Sequence, residues 1–107
     1  MNDYPASERI QKLIESGKNQ NSVFDAVVRE REYQDNKWGT IEDHPHDVPG
    51  WILIMRKELE EAEDEWVHNG GDVPALREIL QVIAIGVAAL EQHGVFEREK
   101  SGHGVKR

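Results

Sequence analysis

The chain of 107 residues contains no cysteine. That excludes a disulfide scaffold, a zinc-thiolate site and a thiol nucleophile. It is also short of positive charge, with 13 Lys and Arg against 21 Asp and Glu and a net charge of -8. A nucleic-acid polymer is therefore not expected as a partner, because its phosphates would meet a repelling field. An acidic protein that handles phosphates needs a divalent cation to offset its own charge. The opening residues Met1-Asn2-Asp3-Tyr4-Pro5 lack the basic-then-apolar pattern of a signal peptide. No apolar run reads as the ~18–20 residues of a bilayer span, so no membrane partner is expected and the cytoplasm is the expected compartment. Alternation of period two, internal repeats and low-complexity tracts are absent as well, which leaves a single all-α domain.

What the chain does have is helical patterning. Asp3 and Pro5 suit the start of a short N-terminal helix with Ile10, Leu13 and Ile14 on one stripe, ended at Gly17. After the polar linker 17–21, Ser22 with Asp25 resembles a capping box for a second helix carrying Val23, Phe24, Val27 and Val28. Residues 36–50 hold Gly39, Pro45 and Pro49 and read as a loop long enough to suggest a functional role. A helix from Trp51 to Trp66 follows, both apolar and strongly acidic. At about 100° per residue, Ile52, Met55, Leu59, Ala62 and Trp66 form its expected core stripe. Glu58, Glu61 and Glu65 lie on the shoulder of that stripe, while Glu60, Glu63 and Asp64 point away. Asp72 is the expected cap of the last helix, apolar nearly all round from Ala75 to His93 and stopped by Gly94. A chain this small can hardly enclose such a helix, so one face is expected to pack on another subunit. The domain is assigned to residues 1–94, with 95–107 as a charged, mobile tail.

Acids three and four residues apart repel, and a bound cation is the simplest compensation; a solvated acidic face is the alternative. Glu78 and Gln81 stand on one face of the apolar last helix, where an unpaired carboxylate is costly. If the two helices are antiparallel neighbours, Glu58 and Glu61 face Glu78 and Gln81. Three carboxylates and an amide oxygen make an oxygen-only cage of the kind Mg²⁺ or Mn²⁺ prefers. Trp38 is the candidate for stacking on a base and Lys37 and Arg31 for reaching phosphate, with closure of the core as the plainer role for Trp38. His44 and His46 either contact substrate or organise the loop.

The pattern Glu58-Leu59-Glu60-Glu61 followed by Glu78-Ile79-Leu80-Gln81 resembles the E-E-x-x-E … E-x-x-D motif of the MazG-like all-α nucleoside triphosphate pyrophosphohydrolases. The upstream run Arg29-Glu30-Arg31-Glu32-Tyr33-Gln34-Asp35-Asn36-Lys37-Trp38-Gly39 is similar to the segment that precedes this motif in small phage and bacterial members. The resemblance covers roughly residues 26–94. It implies a bundle of four helices, one short and three main, whose core is completed as a homodimer or homotetramer. It also implies hydrolysis of a nucleoside triphosphate between the α and β phosphates, giving a monophosphate and pyrophosphate with Mg²⁺. Glu58, Glu61 and Glu78 match metal ligands and catalytic acids, and Gln81 stands in place of the final Asp. Lys57 replaces the usual first Glu and is either a phosphate contact or a solvated rim lysine. Two rivals remain: a non-catalytic metal- or partner-binding helical dimer, and a di-iron carboxylate bundle suggested by Glu65-Trp66-Val67-His68.

Overall fold

A computed structural model describes residues 17–99 together with Glu8 and Lys12. Among the described residues there are three α-helices and no strand. We label them α1 (Gln20–Trp38), α2 (Val48–Asp64) and α3 (Asp72–His93), with a π-helical turn at Glu65–Gly70 between the last two. The expected short N-terminal helix and the end of the charged tail lie outside the described residues. The architecture is all-helical, with α3 packed against both α1 and α2.

The first two helices start earlier than the sequence pattern suggests, because a better cap lies upstream. Asn19, not Ser22, caps α1, its side chain accepting a hydrogen bond from the Asn21 N–H at 2.9 Å. Asn is as good a cap as Ser, so the chain gains a turn at no cost. At the far end α1 runs on to Trp38, where Gly39, at φ 93°, donates its N–H to the Asp35 carbonyl at 2.9 Å. Only glycine suits that position: besides the positive φ, a Cβ would collide with the His44 imidazole. The connecting loop is thus residues 39–47 rather than 36–50. Asp47 caps α2, its Oδ1 accepting from the Gly50 N–H at 2.7 Å. Pro49 then falls in the first turn, where its missing N–H is no loss, instead of breaking the chain.

The inward face of α2 is the main correction to the sequence reading. Trp51 and Ala62 are buried, and Ile54, Met55, Glu58 and Glu65 are half-buried. By contrast Ile52, Leu59 and Trp66, three of the five expected core residues, are exposed at 57%, 55% and 58%. The helix is rotated by roughly 70° from the expected orientation on ideal helical geometry. Three residues of the apolar line are therefore on the outside, and two of the acids, Glu58 and Glu65, are inward rather than on its shoulder.

On α3 the buried residues are Ala75, Ala84, Ile85 and Ala88. These small side chains let the helices approach closely, and a Cβ on Gly86 would stand 3.1 Å from Met55 Cε. Leu76, Ile79, Ile83 and Leu90 remain exposed, so among the described residues this helix is not covered on most sides. The core is correspondingly small: Trp51, Ile85 and Ala88, with Ile41, Ile54, Met55 and Ala89 packed around them. α3 has a mean hydropathy of 1.7 over its apolar window and is long and apolar enough to cross a membrane by composition, contrary to the expectation from the sequence. A core helix of a soluble protein meets the same criterion.

The α2–α3 connection also differs from expectation. Asp72 makes no cap hydrogen bond; its Oδ1 instead accepts from the Trp66 indole N–H at 3.0 Å, bridging the π-turn. Gly94, at φ 99°, ends α3 as expected, its N–H bonded to the Leu90 carbonyl at 2.8 Å.

Candidate metal centre

The antiparallel pairing of α2 and α3 brings Glu58, Glu61 and Glu78 together. One carboxylate oxygen from each lies within 4.8 Å of the others, a group that can hold a metal ion. Glu58 and Glu78 are half-buried and Glu61 is exposed, so the group opens to solvent on the Glu61 side. Helical geometry explains the first pair, since residues three apart share a face. The third comes from the tertiary contact alone.

The centre is electrostatically unsatisfied. Burial, then a hydrogen bond with Glu61 and the charges of Glu61 and Glu78, raise the Glu58 carboxyl from 4.5 to about 7, against a smaller opposing effect of Lys57. Glu78 is also raised, by burial first and then by the charges of Glu61, Glu65 and Glu30. Its Oε2 is sealed from solvent and has no hydrogen-bond partner. A sealed, unpaired carboxylate oxygen costs on the order of 1–3 kcal/mol or more. An all-oxygen, all-anionic donor set with one oxygen left over suits a hard divalent cation. The residues present therefore fit such an ion.

Next to this group is a cavity of about 200 Å³ between α1, the loop and α2, which reaches from Glu58 to Trp38 and His44. Its roof is the loop, fastened to the end of α3. The Gln92 side chain accepts from the His46 N–H at 3.1 Å and donates to the His46 carbonyl at 2.7 Å. The same Gln92 Oε1 accepts from the Trp51 indole at 2.9 Å, and His93 Nε2 lies 2.8 Å from the His46 carbonyl. The His46 ring stands edge-on to Trp51, with centroids 4.8 Å apart. His46 thus organises the loop through its backbone and ring, and both it and His44 border the cavity.

The other sequence candidates divide. Trp38 lines the cavity and is half exposed, at 51%, so it does not close the core. Arg31 lines it too but is buried and committed, with Nε 2.9 Å from Glu91 and Nη1 3.0 Å from Asp35. Burial lowers its pKa, but the bonds to Glu91 and Asp35 outweigh this and raise it. A contact between Arg31 and a phosphate would have to compete with two carboxylates. Lys37 lies over the Trp38 ring, 4.8 Å from its centroid, and 5.7 Å from that of Tyr33. Lys57 is exposed and acts on Glu58 by its charge. Gln81 is half-buried; its backbone carbonyl accepts from Gln34 at 3.2 Å, and its side-chain amide makes no hydrogen bond among the described residues.

The sequence reading passed over Glu30, Gln34, Glu91 and Gln92. Glu30 and Gln34 lie four apart on the face of α1 that carries the buried Val27 and Arg31, but α1 is polar over most of its length, so nothing in the pattern sets them apart. Gln92 had no signal either, since its role depends on a loop 46 residues upstream. No family model, no curated protein and no solved structure matches this chain.

Proposed function

We propose that the protein is a Mg²⁺-dependent nucleoside triphosphate pyrophosphohydrolase, with Mn²⁺ as an alternative ion, cleaving between the α and β phosphates. The observation that carries this reading is the convergence of Glu58, Glu61 and Glu78 beside a cavity that has an aromatic ring at its other end. The ion, when bound, supplies charge neutralisation on the phosphate oxygens and lowers the pKa of a coordinated water. Glu58 and Glu78 hold it, with Gln81 one turn beyond Glu78 on the same face. Glu61, the exposed member, would accept the water's proton. Trp38 stacks on the base, with Lys37, whose ammonium lies over that ring, as a further substrate contact at the same end. Arg31 positions this wall through its ion pairs, and Lys57 screens the centre from the rim. Such substrates belong to the cytoplasm.

The reading includes a second copy of the chain. Ile52 and Leu59 on α2, Trp66 in the π-turn, and Leu76, Ile79 and Ile83 on α3 are all exposed large apolar side chains. A homodimer or homotetramer would cover them.

The direct test is a panel of ribo- and deoxynucleoside triphosphates with Mg²⁺, assayed for pyrophosphate. Release that vanishes in Glu58→Ala and Glu78→Ala but persists in Glu60→Ala supports the reading. Lys57 and Gln81, both lacking the charge of the motif's acids, favour a second reading, a non-catalytic metal-binding dimer. Tight Mg²⁺ binding with no pyrophosphate from any triphosphate would select it. The di-iron reading gains nothing from the geometry, since the carboxylate group contains neither Glu65 nor His68.

A further inference from the structure

The cavity wall carries a polar side chain that the proposed chemistry leaves unused. Gln34 is buried, with 5% of its surface exposed, and lines the cavity together with Asp35, Trp38 and Glu58. Its carboxamide has only one consistent orientation. The Nε2 group donates to the Gln81 carbonyl at 3.2 Å and to Glu30 Oε2 at 3.5 Å. Both neighbours are acceptors only, so they require the NH₂ and exclude the flipped amide. Oε1 accepts no hydrogen bond among the described residues, yet it is not sealed, because the one sealed and unpaired side-chain oxygen there belongs to Glu78. An oriented, unpaired acceptor is left on a buried residue of the cavity wall. The neighbouring Asp35 adds carboxylate oxygens to the same wall, while the Arg31 donors closest to it are engaged.

We propose that Gln34 is the specificity-determining residue of this cavity, its Oε1 accepting a hydrogen bond from a ring or exocyclic N–H of the bound base. This rests on the nucleotide reading, and it narrows the substrates to those whose base presents an N–H to the wall. A site built around an unpaired acceptor rejects a ligand lacking the donor, because the acceptor is then buried without a partner.

The experiment is a calorimetric titration without metal, using two pairs of nucleosides, which carry no phosphate and differ in the donor. One pair is cytidine and N4,N4-dimethylcytidine; the other is uridine and 3-methyluridine. The wild-type chain should prefer the donor-bearing member of at least one pair by about tenfold. Gln34→Met should reduce that preference to about twofold. Because the preference is a ratio within each variant, a general loss of stability does not imitate the result; if the Met variant does not fold, Gln34→Leu takes its place. No preference in the wild type, or an unchanged one without the acceptor, overturns the proposal. The titration needs neither metal nor hydrolysis, so its outcome is separate from that of the pyrophosphate assay.

Discussion

The two ends of the α2–α3 pair solve opposite problems. At the loop end, one side chain, Gln92, satisfies both backbone groups of His46 and the Trp51 indole at once. At the carboxylate end, three acids crowd together, one oxygen is sealed without a partner, and one carboxyl is pushed to about 7. The first arrangement is complete within the chain. The second is paid for by packing elsewhere and is relieved only by something that brings positive charge. A protein whose loop is so fully fastened has no structural reason to keep an unsatisfied centre beside it, which is the physical case for a ligand there.

That contrast can be broken from either side. The largest effect is expected at the carboxylates: Glu78→Ala should weaken Mg²⁺ binding, read by calorimetry, by more than about 100-fold, since even groups that only support a ligand are worth 10–100-fold. Equal affinity in the variant would show that the sealed oxygen does not serve an ion. The loop end should respond in stability instead. Gln92→Leu removes three hydrogen bonds at about 0.5–1.5 kcal/mol each and should lower the unfolding free energy by about 1.5–4.5 kcal/mol, with Mg²⁺ affinity changed less than about threefold. A large loss of affinity there would mean that the two ends are coupled.

The smallest expected effect is in pH dependence. Glu58 has a folded-state pKa above its ordinary value, so between 4.5 and about 7 the folded state binds more protons than the unfolded one. Stability of the metal-free protein therefore falls as pH rises through that window, and the penalty is complete above it. Mg²⁺ should cancel the decline and displace a proton on binding near pH 6.5. Denaturant melts from pH 5 to 8, with and without Mg²⁺, read the sign directly; a metal-free stability that rises across the window would contradict the geometry. Glu58→Gln should flatten the curve.

Much of this arrangement is legible in the residues themselves. The helical class follows from periodicity and from stop signals such as Gly94. Glu58 and Glu61 share a helix face by spacing alone, and Glu78 stands out as a charge among aliphatic residues. Cap competition was harder to read, because Asn19 and Ser22, or Asp47 and Gly50, are all plausible termini until the backbone chooses.

The rotation of α2 was not legible at all. Periodicity ranks the faces of a helix by apolarity, and on that scale Ile52, Leu59 and Trp66 belong inside. Tertiary packing instead buried Trp51 under the loop and turned Glu58 and Glu65 toward α3, leaving those three residues outside. Gln34 and Gln92 matter for the same reason: a carboxamide is only a polar residue until its partners, forty or more positions away, are brought to it. By itself the sequence determined which residues could share a helix face, since that depends on local geometry. Which faces meet, which acceptor is left unpaired and where charge is stranded were decided by the tertiary structure, because burial and long-range hydrogen bonds belong to pairs of elements and not to any one of them.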